Sequence, residues 1–282
     1  MSAVPPLPPP GLALRRRQLR EVFLLELRKA LLSPRAAMLY LLATMPVGLG
    51  VLYLLASLLL DPAAAGDIAR HELAFTAMYH TFILRLDLFV ACLWVFMNLY
   101  RAELLDRSLH FYYLTPVRRE VIAAGKMLAG LATAGGVMIL AVGATDLAFV
   151  LSAGGDGLEH LLLGPGLGHL ASFEAATALA CLGYGALFLL LGTSFRNPIL
   201  PGLLCWGWEQ INPFLPPILK RLSVIHYVQG IAPAPPSGAP VQLLGESVPP
   251  ATAVAGILAV SALFFALAAL RARRLELTYG EE

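Results

Sequence analysis

The chain is expected to be an all-α integral membrane protein with six transmembrane helices, and three observations lead there. Charged residues make up only 13% of its 282 residues, against roughly 25% in a soluble domain. Hydrophobic residues make up 58%, and the mean hydropathy is +0.74. The apolar residues also gather into runs near the ~20 residues that a helix needs to cross the hydrocarbon core. The expected organisation is a cytoplasmic Pro-rich tail and interfacial helix at 1–35, a six-span domain at 36–270, and a cytoplasmic tail at 271–282. No segment outside the spans is long enough to form a soluble domain of its own.

At the N-terminus, a Pro-rich stretch at 1–10 precedes Arg15, Arg16 and Arg17. No short apolar region with a small-residue cleavage site follows, so no cleavable signal peptide is expected. Within residues 12–33, Leu12, Leu19, Phe23, Leu27 and Leu31 recur at helical spacing. Arg16, Arg20, Arg28 and Lys29 fall largely elsewhere on the wheel. This pattern predicts an amphipathic helix lying in the membrane interface, apolar side down, and ended by Pro34. The alternative is an extension of the first span.

Six candidate spans follow. Residues 36–60 carry no charge; 79–99 carry Arg85 and Asp87; 121–151 carry Asp146 in their membrane part. Residues 171–193 have Glu174 near their start, and 251–270 are again free of charge. The fifth candidate, 198–217, contains Glu209 and is interrupted by Pro198, Pro201, Pro213, Pro216 and Pro217. It is expected to end near Pro213 and to lead into a short helix that dips into, or lies on, the outer interface. Trp206, Trp208 and Tyr227 suit an interfacial aromatic belt.

Orientation follows from the distribution of positive charge. If both termini are cytoplasmic, the outer loops hold Arg70, Lys220 and Arg221, while Arg85 is in a span and the other Lys and Arg lie on the inside. That asymmetry predicts that both termini are cytoplasmic, and the expected location is the cytoplasmic (inner) membrane. Arg85, Asp146, Glu174 and Glu209 all fall in the outer half of their spans. Charges at that depth usually face the bundle interior, so ion pairing among spans two to five is expected. A gate or polar path is one reading, and packing, or a simple interfacial position for Glu174, is the other.

Some chemistries find no support. Cys92, Cys181 and Cys205 sit in apolar runs without a CxxC or Cys/His cluster, which reads as small core residues. His80, His110 and His226 are scattered, so no metal site is expected. The P-loop, HExxH and GxSxG patterns are absent, and with them the corresponding routes to ATP, peptide or ester hydrolysis. The chain is expected to be no enzyme, and nothing in it points to nucleic acid.

The informative stretch is YRAELLDRSLHFYYLTPVRREVIAAGKMLAG, residues 100–130. Leu104, Leu105, Leu109, Tyr112 and Tyr113 alternate with Arg101, Glu103, Asp106 and Arg107, and Thr115-Pro116 then breaks the pattern. An amphipathic helix joined to two spans is a lever that a cytoplasmic partner can grip.

With these residues the chain resembles the ABC-2 type transporter permeases. The likeness rests on the amphipathic helix before span one, Glu103 after span two, the string Leu114-Thr115-Pro116-Val117-Arg118-Arg119, Gly125-Lys126 opening span three, and the six-span layout. It implies a permease in the bilayer that pairs with a second copy, or with a related chain, and is driven by a separate ABC ATP-binding subunit. That subunit would hold the ATP and Mg, and this chain would bind no cofactor. It would grip a coupling region at about Ala102–Arg119 that includes Glu103, Asp106, Arg107 and Leu114 through Arg119. The N-terminal helix would also touch it, and re-entrant exoplasmic helices would fall at about Pro213–Ile231. Efflux is the implied direction. A secondary transporter driven by an ion gradient is the alternative, and an intramembrane enzyme a weaker one.

Overall fold

A computed structural model describes residues 12–60, 66–105, 117–195, 197–233 and 248–273. It is all-helical, with no strand among those residues. Five helical stretches are long and apolar enough to cross a membrane: Ala36–Leu60, Ile68–Arg101, Arg119–Ser152, Gly166–Ser194 and Pro250–Arg273. The first presents Leu41, Met45, Leu52, Leu55 and Leu59 on its surface. Apolar exposure on that scale is foreign to a water-soluble monomer and is what lipid would cover.

Helix α1 (Leu12–Leu32) turns at Ser33–Arg35 into α2 (Ala36–Leu60). The second long helix is one continuous path in three parts: α3 (Ile68–Met78), a π-helical stretch at Tyr79–Asp87, and α4 (Leu88–Leu105). It begins eleven residues before the predicted span at 79–99, because the polar Arg70, His71 and Glu72 continue the helix. The Asp67 carboxylate caps it, accepting from the Arg70 amide at 3.1 Å. The third joins α5 (Arg119–Gly130) through a π turn at Leu131–Gly135 to α6 (Gly136–Ser152). A short α7 (Gly154–Leu163), not anticipated, then leads to α8 (Gly166–Ser194).

The segment predicted as span five holds a helix of only 13 residues, α9 (Ile199–Ile211), about 20 Å long at 1.5 Å per residue. A 3₁₀ turn at Asn212–Phe214, α10 (Pro217–Lys220) and α11 (Val224–Val228) continue it. Helix α12 (Pro250–Arg273) closes the bundle. Pro233 reaches His80, whose Nε2 lies 2.7 Å from the Pro233 carbonyl. The broken path from Ser194 to Pro233 therefore runs from the end of the bundle that carries Arg101, Arg119 and Arg273 (the basic end) to the opposite, far end.

Helix α8 packs along both α4 and α12, α2 along α6, and α1 along α5. The core is strongly aromatic. Phe75 meets Phe173 and Phe149 edge-on, at 4.9 and 5.6 Å between ring centres, and Phe89 meets Phe188 at 4.9 Å. The Phe96 ring fills the space between Gly130 and Gly185, where a Cβ on either glycine would strike it. Gly125 and Gly183 likewise admit Val22 and Val224. A Cβ on Gly136, by contrast, would meet open space.

Candidate functional site

At the basic end, the helices that flank the predicted coupling loop are tied together by one buried lysine. Lys126 sits on the core side of α5 with its side chain fully buried. Its Nζ donates to the Leu99 carbonyl of α4 at 2.6 Å and to Glu26 Oε1 of α1 at 3.0 Å. It also lies 5.1 Å from the centre of the Tyr100 ring, within cation–π range. Burying an ammonium is costly unless such partners surround it, and here three elements converge to supply them. Lys29, one turn along α1, adds a second cation 3.7 Å from Glu26.

Packing places that pair. A Cβ on Gly125 would come within 2.9 Å of the Val22 Cβ, so the missing side chain lets α1 lie directly against α5. The packed stripe of α1 runs through Val22 and Glu26, with Leu19, Phe23 and Leu27 half-buried beside it. Thus α1 is docked on the bundle by a polar–apolar seam, centred about one residue from the predicted leucine stripe. Leu14, Leu25 and Leu32 remain exposed. Between α1, α2 and α4 a cavity of about 250 Å³ opens, lined by Glu26, Lys29, Arg35, Trp94 and Asn98 among others.

The coupling residues fall at the edge of this junction. Asp106, Arg107, Leu114, Thr115 and Pro116 lie outside the described residues, as does the Glu103 side chain on α4. Val117 and Arg118 lead into α5, with Arg118 in an extended conformation at its N-cap. Arg119 Nη1 donates to the Arg273 carbonyl at 2.8 Å, and the Arg273 guanidinium pairs with Glu120. The last turn of α12 is thereby fastened to the first turn of α5.

The four predicted intramembrane charges do not form one cluster. Arg85 Nη1 reaches Gln210 Oε1 of α9 at 3.4 Å, and the Arg85 carbonyl accepts from Trp206 at 3.1 Å. Glu209 is buried and accepts from Ser223 Oγ, the Val224 amide and the Ile225 amide at 2.5, 3.1 and 3.2 Å. It anchors α11 against α9. Asp146 and Glu174 lie elsewhere, on neighbouring faces of α6 and α8; Glu174 Oε1 passes 3.2 Å from where a Cβ on Gly143 would stand.

Several participants escaped sequence reasoning. Glu26 was one charge among many, although it sits inside the apolar arc of α1, as Lys126 sits inside that of α5. Two opposite charges, each misplaced on an apolar face, were the available signal. At the far end, Glu72 Oε1 accepts from His160 Nε2 at 2.7 Å and from His169 Nδ1 at 3.2 Å. No sequence spacing announced that trio. Asp87 is buried in the π-helical stretch, and both carboxylate oxygens lack a hydrogen-bond partner among the described residues. No group of three or more His, Cys, Asp or Glu arranged to hold a metal ion occurs among the described residues.

Compared with known protein families the chain matches no family model, and no curated protein matches it.

Proposed function

We propose that this chain is the membrane subunit of an ATP-driven transporter of the ABC-2 permease type, working as an exporter with a separate ABC ATPase. The observation that carries the reading is the Lys126 junction. A loop that transmits force needs stiff attachments on both sides. Lys126 locks α4, α5 and α1 into one unit on the two helices that residues 106–116 connect in sequence, and the Arg119–Arg273–Glu120 contacts add α12. A partner pressing on that loop would move four helices together.

In this reading the basic end is cytoplasmic and the membrane is the cytoplasmic one. The broken path α9–α11 serves as the sixth crossing, which brings both termini to the same side. A second permease copy completes the translocation path, and ATP and Mg belong to the ATPase. The long amphipathic connection at 100–119 favours this over a carrier driven by an ion gradient, which has no use for such a lever.

The test is whether a neighbouring reading frame encodes an ABC ATPase and, with that protein, co-expression, co-purification and ATPase assay in lipid. Wild type should retain the ATPase. A variant with Leu114, Val117 and Arg118 changed together should lose the complex, or uncouple its activity, while keeping its thermal stability. An unaltered complex with unaltered activity would defeat the coupling assignment.

A further inference from the structure

At the far end, a cavity of about 250 Å³ lies among α3, α6, α7 and α8. Its walls combine two chemistries. Phe75, Phe149 and Phe173 supply aromatic surface, while Glu72 and Asp146 supply carboxylates. Among the described residues, no Lys or Arg lines it. Glu72 is held in place by His160 and His169 on one oxygen, Oε1. Asp146 makes no hydrogen bond or ion pair among the described residues, although it is only partly exposed.

A second observation points to a ligand. His71 lines the same cavity and is 3% exposed. Its Nδ1 lies 2.9 Å from the Tyr53 hydroxyl, which fixes the ring. Its Nε2 is buried with no hydrogen-bond partner among the described residues. Buried polar atoms are nearly always satisfied by protein, water or ligand. The unsatisfied ring nitrogen and a half-buried carboxylate without a partner among the described residues thus belong to two residues that line one cavity.

We propose that this cavity binds a protonated organic amine with an apolar, preferably aromatic, body. The ammonium N–H groups would donate to Asp146, with Glu72 contributing charge. His71 Nε2 would accept when its Nδ1 donates to Tyr53. The phenylalanines would take the apolar body and offer ring faces to the charge. An anion is disfavoured by the two carboxylates, and a purely apolar ligand would leave Asp146 and His71 desolvated and unpaired. The assignment goes beyond the transporter reading and does not depend on the ATPase. If both hold, the cavity lies at the outer end of the export path.

The experiment is calorimetric titration of the full chain, in nanodiscs of uncharged phosphatidylcholine, with 2-phenylethylammonium, empty discs being subtracted. The isosteric 2-phenylethanol is titrated in parallel and needs no variant. Asp146→Asn, Glu72→Gln and, as a control, Glu159→Gln are then titrated; Glu159 is exposed on α7 and off the cavity wall. Saturable binding of the amine is expected, weakened about tenfold or more in the alcohol and in the two cavity variants, as loss of a charge-assisted contact requires. Glu159→Gln should bind as wild type does. Absence of amine binding to wild type, equal affinity for the alcohol, or equal weakening by Glu159→Gln would each overturn the proposal. If Asp146→Asn does not fold, Glu72→Gln and the alcohol decide the matter. Loss of the ATPase complex would leave these results untouched.

Discussion

Replacing Lys126 with Met should release α1 from the bundle while leaving the rest folded. Lys126 Nζ is 3.0 Å from Glu26 Oε1, and the two side chains are 0% and 4% exposed. Removing one partner of such a buried pair costs about 3–5 kcal/mol, because the remaining charge stays desolvated. The residual compensation for Glu26 includes Lys29 at 3.7 Å, a side chain 47% exposed, whose contribution is much weakened by solvent. Taking the lower figure, about 3 kcal/mol, the opening equilibrium of α1 rises roughly 150-fold. Hydrogen exchange of peptides spanning Leu12–Leu32, in nanodiscs, reads that ratio directly. Glu26→Gln should have a smaller effect, since Lys126 keeps the Leu99 carbonyl and the Tyr100 ring. A double variant, Glu26→Leu with Lys126→Met, should recover most of the protection, as replacing a buried ion pair with apolar groups often does. Exchange of α1 in Lys126→Met within twofold of wild type would refute the reasoning. So would a double variant no better protected than the single.

Three further outcomes are expected. Gly125→Val should weaken the same docking by about 1–3 kcal/mol through overpacking, because its Cβ would stand 2.5 Å from the Val22 Cγ1 and 2.9 Å from its Cβ; adding Val22→Gly, which removes both atoms, should restore part of the exchange protection, and failure to restore any would count against the close approach. Asp87→Asn should raise the thermal midpoint, removing an unpaired buried carboxylate that costs about 1–3 kcal/mol; a lowered midpoint would mean that the carboxyl has a partner outside the described residues. Glu209→Gln should weaken the hold on Ser223, Val224 and Ile225 by about 2 kcal/mol, seen as faster exchange in peptides covering 223–233 with α2 unchanged.

The long helices were legible because the bilayer demands about 20 apolar residues from each, and the chain obliges in five places. Their ends were not. Ile68–Met78 is a helix with Arg70, His71 and Glu72 in its first turns, so a hydropathy window stops short of it. The fifth segment was recognisably broken, yet its helix is only 13 residues, since prolines dictate where a helix stops more clearly than how the chain continues. Depth of the intramembrane charges could be counted along each span, but azimuth could not. The two π-helical stretches, Tyr79–Asp87 and Leu131–Gly135, shift the phase of everything beyond them. Arg85 lies within the first stretch and Asp146 beyond the second, so neither azimuth follows from a 3.6-residue wheel.

The buried polar groups then divide by how completely they are satisfied. Lys126 has a carboxylate, a carbonyl and an aromatic face; Glu209 has a hydroxyl and two amides. Groups so fully partnered raise the cost of moving one element relative to another; they sit on the helices next to the proposed coupling region and along the broken path. Asp146 and the Nε2 of His71 lack such partners, and they line one cavity at the far end. Leaving the His71 Nε2 buried and unsatisfied costs stability that a structural role would not repay. The division separates two kinds of variant. Changes at Lys126 or Glu26 should loosen the fold whether or not any ligand is present. Changes at Asp146 should leave the empty protein as stable as before, or more so, and remove only the stabilisation that an added amine confers. An Asp146→Asn protein that is less stable without ligand, yet still stabilised by the amine as wild type is, would place Asp146 with the structural group.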